Sequence, residues 1–464
     1  MFKKLCFLII LFSISSVAPS LFAQTISDQV DSYILKAMAE RHIPGLSLAV
    51  IRDGIPVKIK GYGFADIENK TTVNPETIFL SGSLGKMFTA TAIMKLKEDG
   101  KLKLDDKIAA YFKNSPATWQ NITIRNLLNH TSGIPDYENE NLIDLQKNYT
   151  EAELLQLAMK MPLDFQPGEK WAYSSTAYVV LGILIRQITG KFYGDILQEK
   201  IFLPLSMETT RIINESDILL NRSSGYELNN GEWKNQSWVS PTLNTTADGS
   251  LYFSTLDLIK WDAAITNEKI LNHDDLQTMF TPAKLNNGSF YPYGFGWFLH
   301  PVNGYKSIQQ GGSWQGFNNF IAKFTDDKLT VVVLTNLNPS NPGLIGRDVA
   351  AFYISELSRP AVTVIKDSNA ALTILITELY KTPLKADLNN SLFAKEATPA
   401  IKLLTTSNDY LLKTFGQVQS VLPVENIGNA NQTKYLIKYK VGARLATVTM
   451  NSLGKIINII TEAA

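Results

Sequence analysis

The chain has 464 residues, of which 45% are hydrophobic, and its 44 lysines and arginines nearly balance its 43 aspartates and glutamates. This length accommodates one large domain and a smaller one. Because the net charge is near zero and the basic residues are dispersed, neither a nucleic acid nor a membrane surface is expected as a partner.

The N-terminal end, residues 1–23, has the pattern of a secretory leader. Lysines precede an apolar run from Leu5 to Phe12, and small residues lead to an expected cut after Ala23. We expect an exported protein, periplasmic or secreted, with no integral membrane segment once the leader is removed. The only cysteine, Cys6, lies in the leader, so the mature chain would have no disulfide, thiol nucleophile or thiolate metal ligand.

The first elements after the leader are predicted to be a helix and a β-hairpin. Val30 to Met38 has amphipathic helical spacing. Strand-like runs at Leu46 to Ile51 and Val57 to Gly61 flank a turn at Asp53-Gly54. From about Thr77 to Ile270 the pattern is helical, broken by proline and glycine turns.

A second strand pair and a closing helix are predicted near the end of the large domain. The strands are Phe317 to Phe324 and Leu329 to Thr335, and the helix is Gly346 to Leu357. We therefore expect residues 24–358 to form an α/β (α+β) domain. Its antiparallel sheet would be built from both chain ends and flanked by helices, with a helical lobe inserted between the two halves.

Ser358-Arg359-Pro360 marks a domain boundary, and residues 359–464 are predicted to form a small α+β unit of unknown role. The unit contains no histidine and no acidic pair in a recognisable setting, so we expect no chemistry there. Its predicted helices and strands are Ala370 to Tyr380, Ala400 to Leu412, Tyr435 to Tyr439, Arg444 to Met450 and Ile456 to Ile460.

The stretch around Ser83 has the most informative pattern in the sequence. A small-residue turn, Ser81-Gly82-Ser83, runs into apolar residues at helical spacing, namely Leu84, Phe88, Ala92 and Leu96. Residues three apart share a helix face, so the Lys86 amine can reach the Ser83 hydroxyl and, if desolvation keeps it neutral, take its proton. Ser83 is therefore a candidate nucleophile that needs no histidine.

Two further motifs offer groups for acyl transfer. In Pro167 to Ser175, Tyr173 stands in a loop before a helical run, where a phenol near an ammonium can carry a proton between nucleophile and leaving group. In Gln310 to Phe317, paired glycines let a substrate backbone approach a strand edge, and a free N–H after them can point at a developing oxyanion. Taken alone, each motif also fits a structural role, as a core aromatic or as a β-bulge or tight turn.

In this order and at this spacing, the motifs resemble the serine β-lactamase and penicillin-binding-protein superfamily, specifically the class C β-lactamase-related group with its DD-carboxypeptidases and esterases. The resemblance covers about Ser27 to Leu357. The segments that carry it are Ile43-Pro44-Gly45, Asp53-Gly54, the Ser83 helix, Leu127 to Asp136, Pro167-Gly168-Glu169 before Tyr173, Ser254-Thr255, Asp257-Leu258, Tyr293 to Trp297 and Gly311 to Phe317.

The resemblance implies a β-lactamase/transpeptidase-like fold and an acyl-enzyme mechanism, for which we expect no cofactor and no metal. It implies Ser83 as the acylated nucleophile, Lys86 as its partner and Tyr173 as the proton shuttle. The N–H groups of Ser83 and Ser313 would form the oxyanion hole. The implied substrate-binding residues are Ser175, Gln310, Gly311 and Gly312. The partner would be a small-molecule or peptide substrate: an ester, an amide, a D-Ala peptide or a β-lactam.

Two residues depart from the family pattern. Ser175 stands where the family usually has asparagine, and Gln310 stands where it has lysine or histidine. Both changes weaken polar recognition, because a hydroxyl reaches less far than an amide and a cation at position 310 would attract a substrate carboxylate. Lys306 cannot easily substitute, since four residues along an extended strand span roughly 13 Å. An uncharged ester or amide is thus at least as good a candidate substrate as a β-lactam.

The same departures motivate a second hypothesis, a catalytically weak or inactive cell-wall or ligand-binding module on this fold.

His130 is expected to be structural, and a Ser-His-Asp hydrolase would need a glycine where the chain has Ser81. The oligomeric state stays open. Three other histidines lack zinc-ligand spacing: His42, His273 and His300. Most of the following aromatics are expected in the core rather than lining a cleft: Tyr291, Tyr293, Trp297 and Trp314.

Overall fold

In the computed structural model, the described residues are 17–137, 143–359, 361–381, 393–394, 397–425 and 431–464. Residues 1–16 of the predicted leader therefore lie outside the described residues, as does Pro360 of the predicted boundary. The first helix, α1 (Val17–Arg41), continues through the expected cut after Ala23. Cleavage at that point stays a prediction.

Both α-helices and β-strands occur along the described residues. The remaining α-helices are α2 (Gly85–Glu98), α3 (Ile124–Leu128), α4 (Glu151–Lys160), α5 (Ser175–Thr189), α6 (Tyr193–Leu197), α7 (Thr255–Thr266), α8 (His273–Met279), α9 (Pro342–Ala351), α10 (Ala370–Lys381) and α11 (Thr398–Phe415). The strands are β1 (Gly45–Arg52), β2 (Ile55–Asp66), β3 (Thr71–Thr72), β4 (Phe79–Leu80), β5 (Arg211–Ile212), β6 (Tyr226–Asn229), β7 (Glu232–Asn235), β8 (Leu251–Phe253), β9 (Ala283–Lys284), β10 (Phe290–Tyr291), β11 (Ser307–Trp314), β12 (Phe317–Phe324), β13 (Leu329–Thr335), β14 (Leu337–Asn338), β15 (Val418–Val424), β16 (Gln432–Tyr439), β17 (Ala443–Met450) and β18 (Ile456–Ala463).

A six-stranded antiparallel sheet in the order β11-β12-β13-β1-β2-β3 forms the centre of the large domain. Strand β1 lies between β2 and β13, and Leu46 pairs with Thr335. The two ends of the domain therefore share one sheet, as predicted. Asp53 and Gly54, with φ angles of 52° and 75°, form the predicted hairpin turn between β1 and β2.

Both faces of this sheet are buried. Successive side chains of a strand point to opposite faces. Along β13, Val332 and Leu334 join a core formed with α2, α5 and α7 of the helical lobe. Val331 and Val333 join a second core formed with α1, α9 and the C-terminal unit. Burial on both sides explains why Val331 to Leu334 in β13 are all apolar rather than alternating with polar residues.

An acidic residue on α1 ties this helix to the sheet. The carboxylate of Asp31 lies 2.6 Å from Lys58 Nζ and 2.7 Å from Lys60 Nζ, and it accepts a hydrogen bond of 2.6 Å from the Tyr62 hydroxyl. Burial raises the pKa of Asp31, but the hydrogen bonds from these three residues outweigh burial and lower that pKa to about 2. The α1 helix is therefore held to β2 by charge as well as by apolar packing.

The closing helix of the large domain differs from its prediction. Instead of Gly346 to Leu357, the helix is α9 (Pro342–Ala351), and a separate 3-10 turn spans Ser355–Leu357. Pro342 stands in the first turn of α9, where its fixed φ and missing N–H cost nothing. The helix therefore starts earlier than its apolar spacing indicated.

The C-terminal unit has a four-stranded sheet in the order β15-β16-β17-β18, with α10 and α11 beside it. Both helices and three of the strands agree with the sequence prediction. Strand β15 was missed. Pro423 within it is tolerated because β15 is at the end of the strand order, where a missing N–H breaks no central ladder.

The β6–β7 hairpin connects the C-terminal unit to the central sheet. At its tip, the N–H of Asn230 donates to the carbonyl of Lys413 at the end of α11, at 2.8 Å. At its base, the N–H of Tyr226 donates to the carbonyl of Gly316 in the β11–β12 turn, at 3.4 Å. The turn between β11 and β12 thus touches a hairpin whose other end is bound to the C-terminal unit.

Candidate active site

Ser83 lies in a 3-10 turn, Gly82–Leu84, that leads directly into α2, at the loop-to-helix junction expected from the sequence. Gly82 has a φ of 52°, a left-handed conformation that favours glycine. The turn is held by Ser81, whose hydroxyl donates to the carbonyl of Gly249 at 2.7 Å and accepts from the N–H of Leu251 at 3.1 Å.

The amine of Lys86 is fully buried and lies one helical turn from Ser83. Its Nζ is 3.0 Å from Ser83 Oγ, 2.7 Å from the carbonyl oxygen of Asp248 and 3.4 Å from Ser175 Oγ. Because the Asp248 carbonyl and the Ser175 hydroxyl contact the amine from other elements, the amine is held beside the Ser83 hydroxyl.

Tyr173 lies in the loop just before α5, with its side chain half-buried. The Nζ of Lys86 is 5.0 Å from the centre of the Tyr173 ring. The ring packs against the imidazole of His130, with 4.4 Å between ring centres, and lies nearly parallel to Phe298 at 6.4 Å. Ser83, Lys86 and Tyr173 are therefore brought together by α2 and the start of α5.

His130 supports the tyrosine from behind. Its Nδ1 accepts a hydrogen bond from the Ser174 N–H at 3.2 Å, so the proton sits on Nε2, which lies 3.1 Å from the Tyr293 hydroxyl oxygen. Burial holds the pKa of His130 well below its usual range, and the charge of Lys86 lowers it further. A fully buried neutral imidazole with both nitrogens engaged fits the structural role expected for this residue.

The start of α5 orients Ser175. The hydroxyl of Ser174 accepts from the Ala177 N–H at 3.1 Å, which caps the helix. The N–H of Ser175 donates to the carboxylate of Asp136 at 3.1 Å. With 2% of its surface exposed, Ser175 directs its hydroxyl toward the Lys86 amine rather than into open solvent.

Strand β11 passes close to the 3-10 turn that holds Ser83. A Cβ added to Gly312 would lie 2.2 Å from the carbonyl oxygen of Ser81, so only glycine fits there. A Cβ added to Gly82 would lie 2.4 Å from the nitrogen of Ser313. The backbone nitrogens of Ser83 and Ser313, predicted to form the oxyanion hole, are thus on adjacent segments. Gly311 is exposed and open on its Cβ side, where its nearest neighbour is 3.8 Å away.

Gln310 has a different environment from the one expected of a residue that faces a ligand. Only 1% of its surface is exposed, and its Nε2 donates to the carbonyl oxygen of Ser83 at 3.1 Å. Its Oε1 is buried and has no hydrogen-bond partner among the described residues. A role in substrate binding stays a prediction, but the side chain contacts the turn that holds Ser83. Lys306 is exposed and lies 3.4 Å from the Asp326 carboxylate.

Comparison with known proteins decides the family. The family model described as Beta-lactamase matches residues 30–355, most of the chain, including every motif described above. The chain belongs to the β-lactamase family. A penicillin-binding protein of Bacillus subtilis (strain 168) is 29% identical over 320 residues, which cover 65% of this chain and 70% of that relative. Protein flp of Staphylococcus aureus (strain MW2) is 30% identical over 322 residues, covering 67% of this chain and 63% of flp.

Two solved structures have a similar fold. The octameric penicillin-binding protein homologue from Pyrococcus abyssi has a TM-score of 0.65 at 26% identity, and the match covers 94% of this chain and 98% of that one. The D-amino acid amidase from Ochrobactrum anthropi SV3 has a TM-score of 0.61 at 23% identity, covering 73% and 99%. The amidase match shows the shared fold alone. Family membership supports a serine acyl-transferase or hydrolase type of enzyme.

The part of the chain that the structure describes was predicted to hold no metal and no integral membrane segment. Within the described ranges, no three or more His, Cys, Asp or Glu side chains converge as a metal site. Over the same ranges, none of the helices has both the length and the hydrophobicity needed to cross a bilayer.

Sequence reasoning missed the segment beneath Lys86. The carbonyl of Asp248 binds the Lys86 amine, and its carboxylate accepts a hydrogen bond of 2.8 Å from the Tyr137 hydroxyl. The neighbouring Gly249 packs so closely that an added Cβ would lie 2.7 Å from the carbonyl carbon of Gly82. No local pattern indicates these contacts, because Asp248 acts through its backbone and lies far from Lys86 in sequence.

The aromatics divide between core and surface. Tyr293 and Trp297 are fully buried, as expected for most of this group, whereas Tyr291 and Trp314 are half-exposed. The Trp314 indole N–H donates to the Asn244 side-chain oxygen at 2.6 Å, on the side of β11 near Ser313.

Proposed function

We propose that the chain is an exported serine hydrolase that forms an acyl-enzyme on Ser83 and acts on an ester, an amide, a D-Ala peptide or a β-lactam. The main support for this proposal is that the buried Lys86 amine lies 3.0 Å from Ser83 Oγ. A hydroxyl becomes a strong nucleophile when an adjacent base removes its proton, and the amine is within hydrogen-bond reach of that proton.

The proposed reaction has two halves. The unprotonated Lys86 amine takes the hydroxyl proton as Ser83 Oγ bonds to the substrate carbonyl carbon, and the carbonyl oxygen becomes an oxyanion. The N–H groups of Ser83 and Ser313 stabilise that oxyanion. As the bond to the leaving group breaks, Tyr173 gives its hydroxyl proton to the leaving oxygen or nitrogen and takes a proton back from the Lys86 ammonium, which leaves both groups as they began. Water then attacks the acyl-enzyme by the reverse route, which releases the acid and restores Ser83.

The position of Tyr173 supports its role as the shuttle. Its ring lies close to the Lys86 amine and its side chain is half-exposed, so it can face both the amine and a bound substrate. Removal of a positioned acid or base costs about 10² to 10⁴ in rate. Tyr173→Phe keeps the ring packing against His130 and Phe298 and removes only the hydroxyl.

A second candidate is a ligand-binding module that has lost the chemistry. Two residues favour this candidate, because neither offers a charge to a substrate carboxylate. Gln310 is neutral and buried, and Ser175 has only a short hydroxyl side chain. On this hypothesis the cleft would bind cell-wall peptides or related ligands without acylation.

Intact-protein mass spectrometry after incubation with a panel of β-lactams, D-Ala-D-Ala peptides, short-chain esters and a fluorophosphonate separates the two candidates. The hydrolase proposal expects a covalent adduct that disappears in Ser83→Ala and persists in the control Ser289→Ala, on an exposed loop. No adduct and no turnover with any reagent would favour the binding module. The reagent that turns over fastest identifies the substrate class.

Export can be tested separately. If residues 1–23 form a leader, the protein recovered outside the cytoplasm begins at Gln24. A full-length chain retained in the cytoplasm would contradict export and leave the acyl-transfer proposal intact.

A further inference from the structure

Half-exposed aromatic side chains border Tyr173 on one side of the candidate site. We call this group the aromatic wall; its members are Trp171, Tyr173, Tyr291, Phe298 and His300. Trp171 and Tyr291 are stacked, with 3.9 Å between ring centres and 11° between planes. Phe298 lies 5.7 Å from His300, at 20°, in addition to its nearly parallel contact with Tyr173. The rings therefore form one continuous apolar surface that begins at the proposed proton shuttle.

The backbone fixes this surface against β11. Phe298 and Gln309 exchange a pair of hydrogen bonds, from the Phe298 N–H at 2.8 Å and from the Gln309 N–H at 2.9 Å. The outer edge of β11 is therefore hydrogen-bonded to Phe298 at Gln309, whereas Gly311, two residues further along, is exposed. A substrate chain that lies along β11 beside Ser313 and extends toward Gln309 runs directly into Phe298.

The charge at this end of the strand is low. Position 310, the site of the usual family cation, holds a neutral amide that is turned onto the Ser83 carbonyl. Lys306 is exposed and lies beside Asp326, and Lys86 is buried beneath Ser83. A carboxylate placed beside Phe298 would lose water without gaining a cation from position 310. An uncharged ring would gain ring contacts there.

We propose that the aromatic wall is the specificity-determining surface of the site, and that the preferred substrates are uncharged esters or amides with an aryl group that packs on Phe298 and His300. This inference rests on the proposed function, because it needs an acyl-transfer site beside Tyr173. The rings are already held by one another, so little side-chain freedom is lost when a further ring binds.

Two substrate series test the wall without assuming which side of the scissile bond it contacts. One series keeps a p-nitrophenyl leaving group and compares phenylacetyl with cyclohexylacetyl acyl groups. The other keeps an acetyl group and compares benzyl with cyclohexylmethyl alcohols. We expect kcat/KM to favour the aryl substrate by about two- to tenfold in at least one series, the range that corresponds to an aromatic pair beyond its area burial.

Variants of two wall residues test whether the aromatic wall causes the preference for aryl substrates. Phe298→Leu and His300→Ala should each reduce the aryl-to-cyclohexyl ratio of kcat/KM by several-fold. The second variant keeps the proposal testable if Phe298→Leu disturbs Tyr173, because His300 stacks on Phe298 and meets the Tyr291 ring edge-on. Phe290→Ala, an exposed phenylalanine outside the wall, should leave the ratio unchanged.

The outcomes separate the two proposals. If Ser83 is acylated by a fluorophosphonate but neither series favours the aryl substrate, or if both variants keep the wild-type ratio, the aromatic wall is not the specificity surface and the hydrolase proposal stands. If no reagent acylates Ser83, the proposed function fails, and the inference fails with it.

Discussion

Lys86 Nζ lies 3.0 Å from Ser83 Oγ and 2.7 Å from the backbone carbonyl of Asp248, a residue 162 positions away in the sequence. The first contact follows from helical pitch, since the two residues are three apart at the start of α2. The second depends on how the chain folds back beneath the helix. Together they hold the amine at the one hydroxyl that the proposed chemistry requires.

Lys86→Met is expected to reduce the rate of Ser83 acylation by about 10² to 10⁴, because it removes the proton acceptor and keeps an apolar side chain of similar length. The measurement is the rate of adduct formation with a fluorophosphonate or the best substrate of the panel. Lys95→Met is the control, since Lys95 is on the same helix and pairs with Glu98, 2.7 Å away. A loss of the same size in both variants would mean that the helix, not the amine, was damaged.

Gln310→Lys tests whether position 310 governs capture of anionic substrates. A charge-assisted hydrogen bond contributes about 1.5 to 3 kcal/mol, so turnover of carboxylate-bearing β-lactams or D-Ala peptides should rise about tenfold to a hundredfold relative to a neutral ester. Added salt should reduce that gain.

Gln310→Met tests the second role of this side chain, its hydrogen bond to the Ser83 carbonyl, apart from the capture of anionic substrates. Loss of the hydrogen bond to the Ser83 carbonyl should slow both substrate classes equally, by several-fold. If Gln310→Lys also changes both classes equally, position 310 does not contact the ligand and acts only through the turn that holds Ser83.

Because His130 is buried and neutral, the folded protein should become less stable in mild acid. In the folded protein its pKa is held well below the usual range by burial and by Lys86, whereas in the unfolded chain it titrates near about 6.5. Below that pH the unfolded state binds a proton that the folded state does not. The free energy of unfolding should therefore fall as the pH drops from about 7 toward 5, by at most about 1.4 kcal/mol per pH unit from this residue.

Urea unfolding of wild-type and His130→Gln protein across that range measures the effect, and the variant should have the flatter profile. His273→Gln is the control with the opposite sign. The Glu268 carboxylate raises the pKa of His273, which stabilises the fold at low pH, so its removal should steepen the decline. Asp31 titrates lower, near 2 in the folded state, and does not contribute in this window. Identical slopes for wild-type and His130→Gln would refute the assignment.

Gly316→Ala is expected to lower kcat/KM by tenfold or more. Gly316 has a φ of 81°, and an added Cβ would lie 2.4 Å from the nitrogen of Tyr226, so the turn that follows Ser313 must shift. Gly288→Ala is a matched control. Its φ is 85° but an added Cβ meets no atom within 4 Å, so Gly288→Ala carries a similar backbone strain, about 1 to 2 kcal/mol, without a displacement. Equal activity in the two variants would show that the turn does not position Ser313.

Most of the secondary structure was predictable because local pattern determines it. The hairpin at Asp53-Gly54 and the apolar run of β13 follow from turn chemistry and from burial on both faces. The placement of Ser83 and Lys86 on one helix face likewise needs only helical pitch. Two errors of prediction also have local causes. Pro342 begins α9 earlier than expected, and Pro423 made the edge strand β15 hard to recognise from its sequence.

The sequence by itself thus determined which residue types could carry acyl transfer, because their spacing is a property of the helix or strand that holds them. Only the tertiary structure decided what surrounds them. The Asp248 carbonyl reaches Lys86, the Gln310 amide turns onto the Ser83 carbonyl, and Phe298 covers the β11 edge. The first two of these contacts join residues distant in the sequence, and all three use a backbone group. Every residue has such groups, so no side-chain pattern marks which ones will be used.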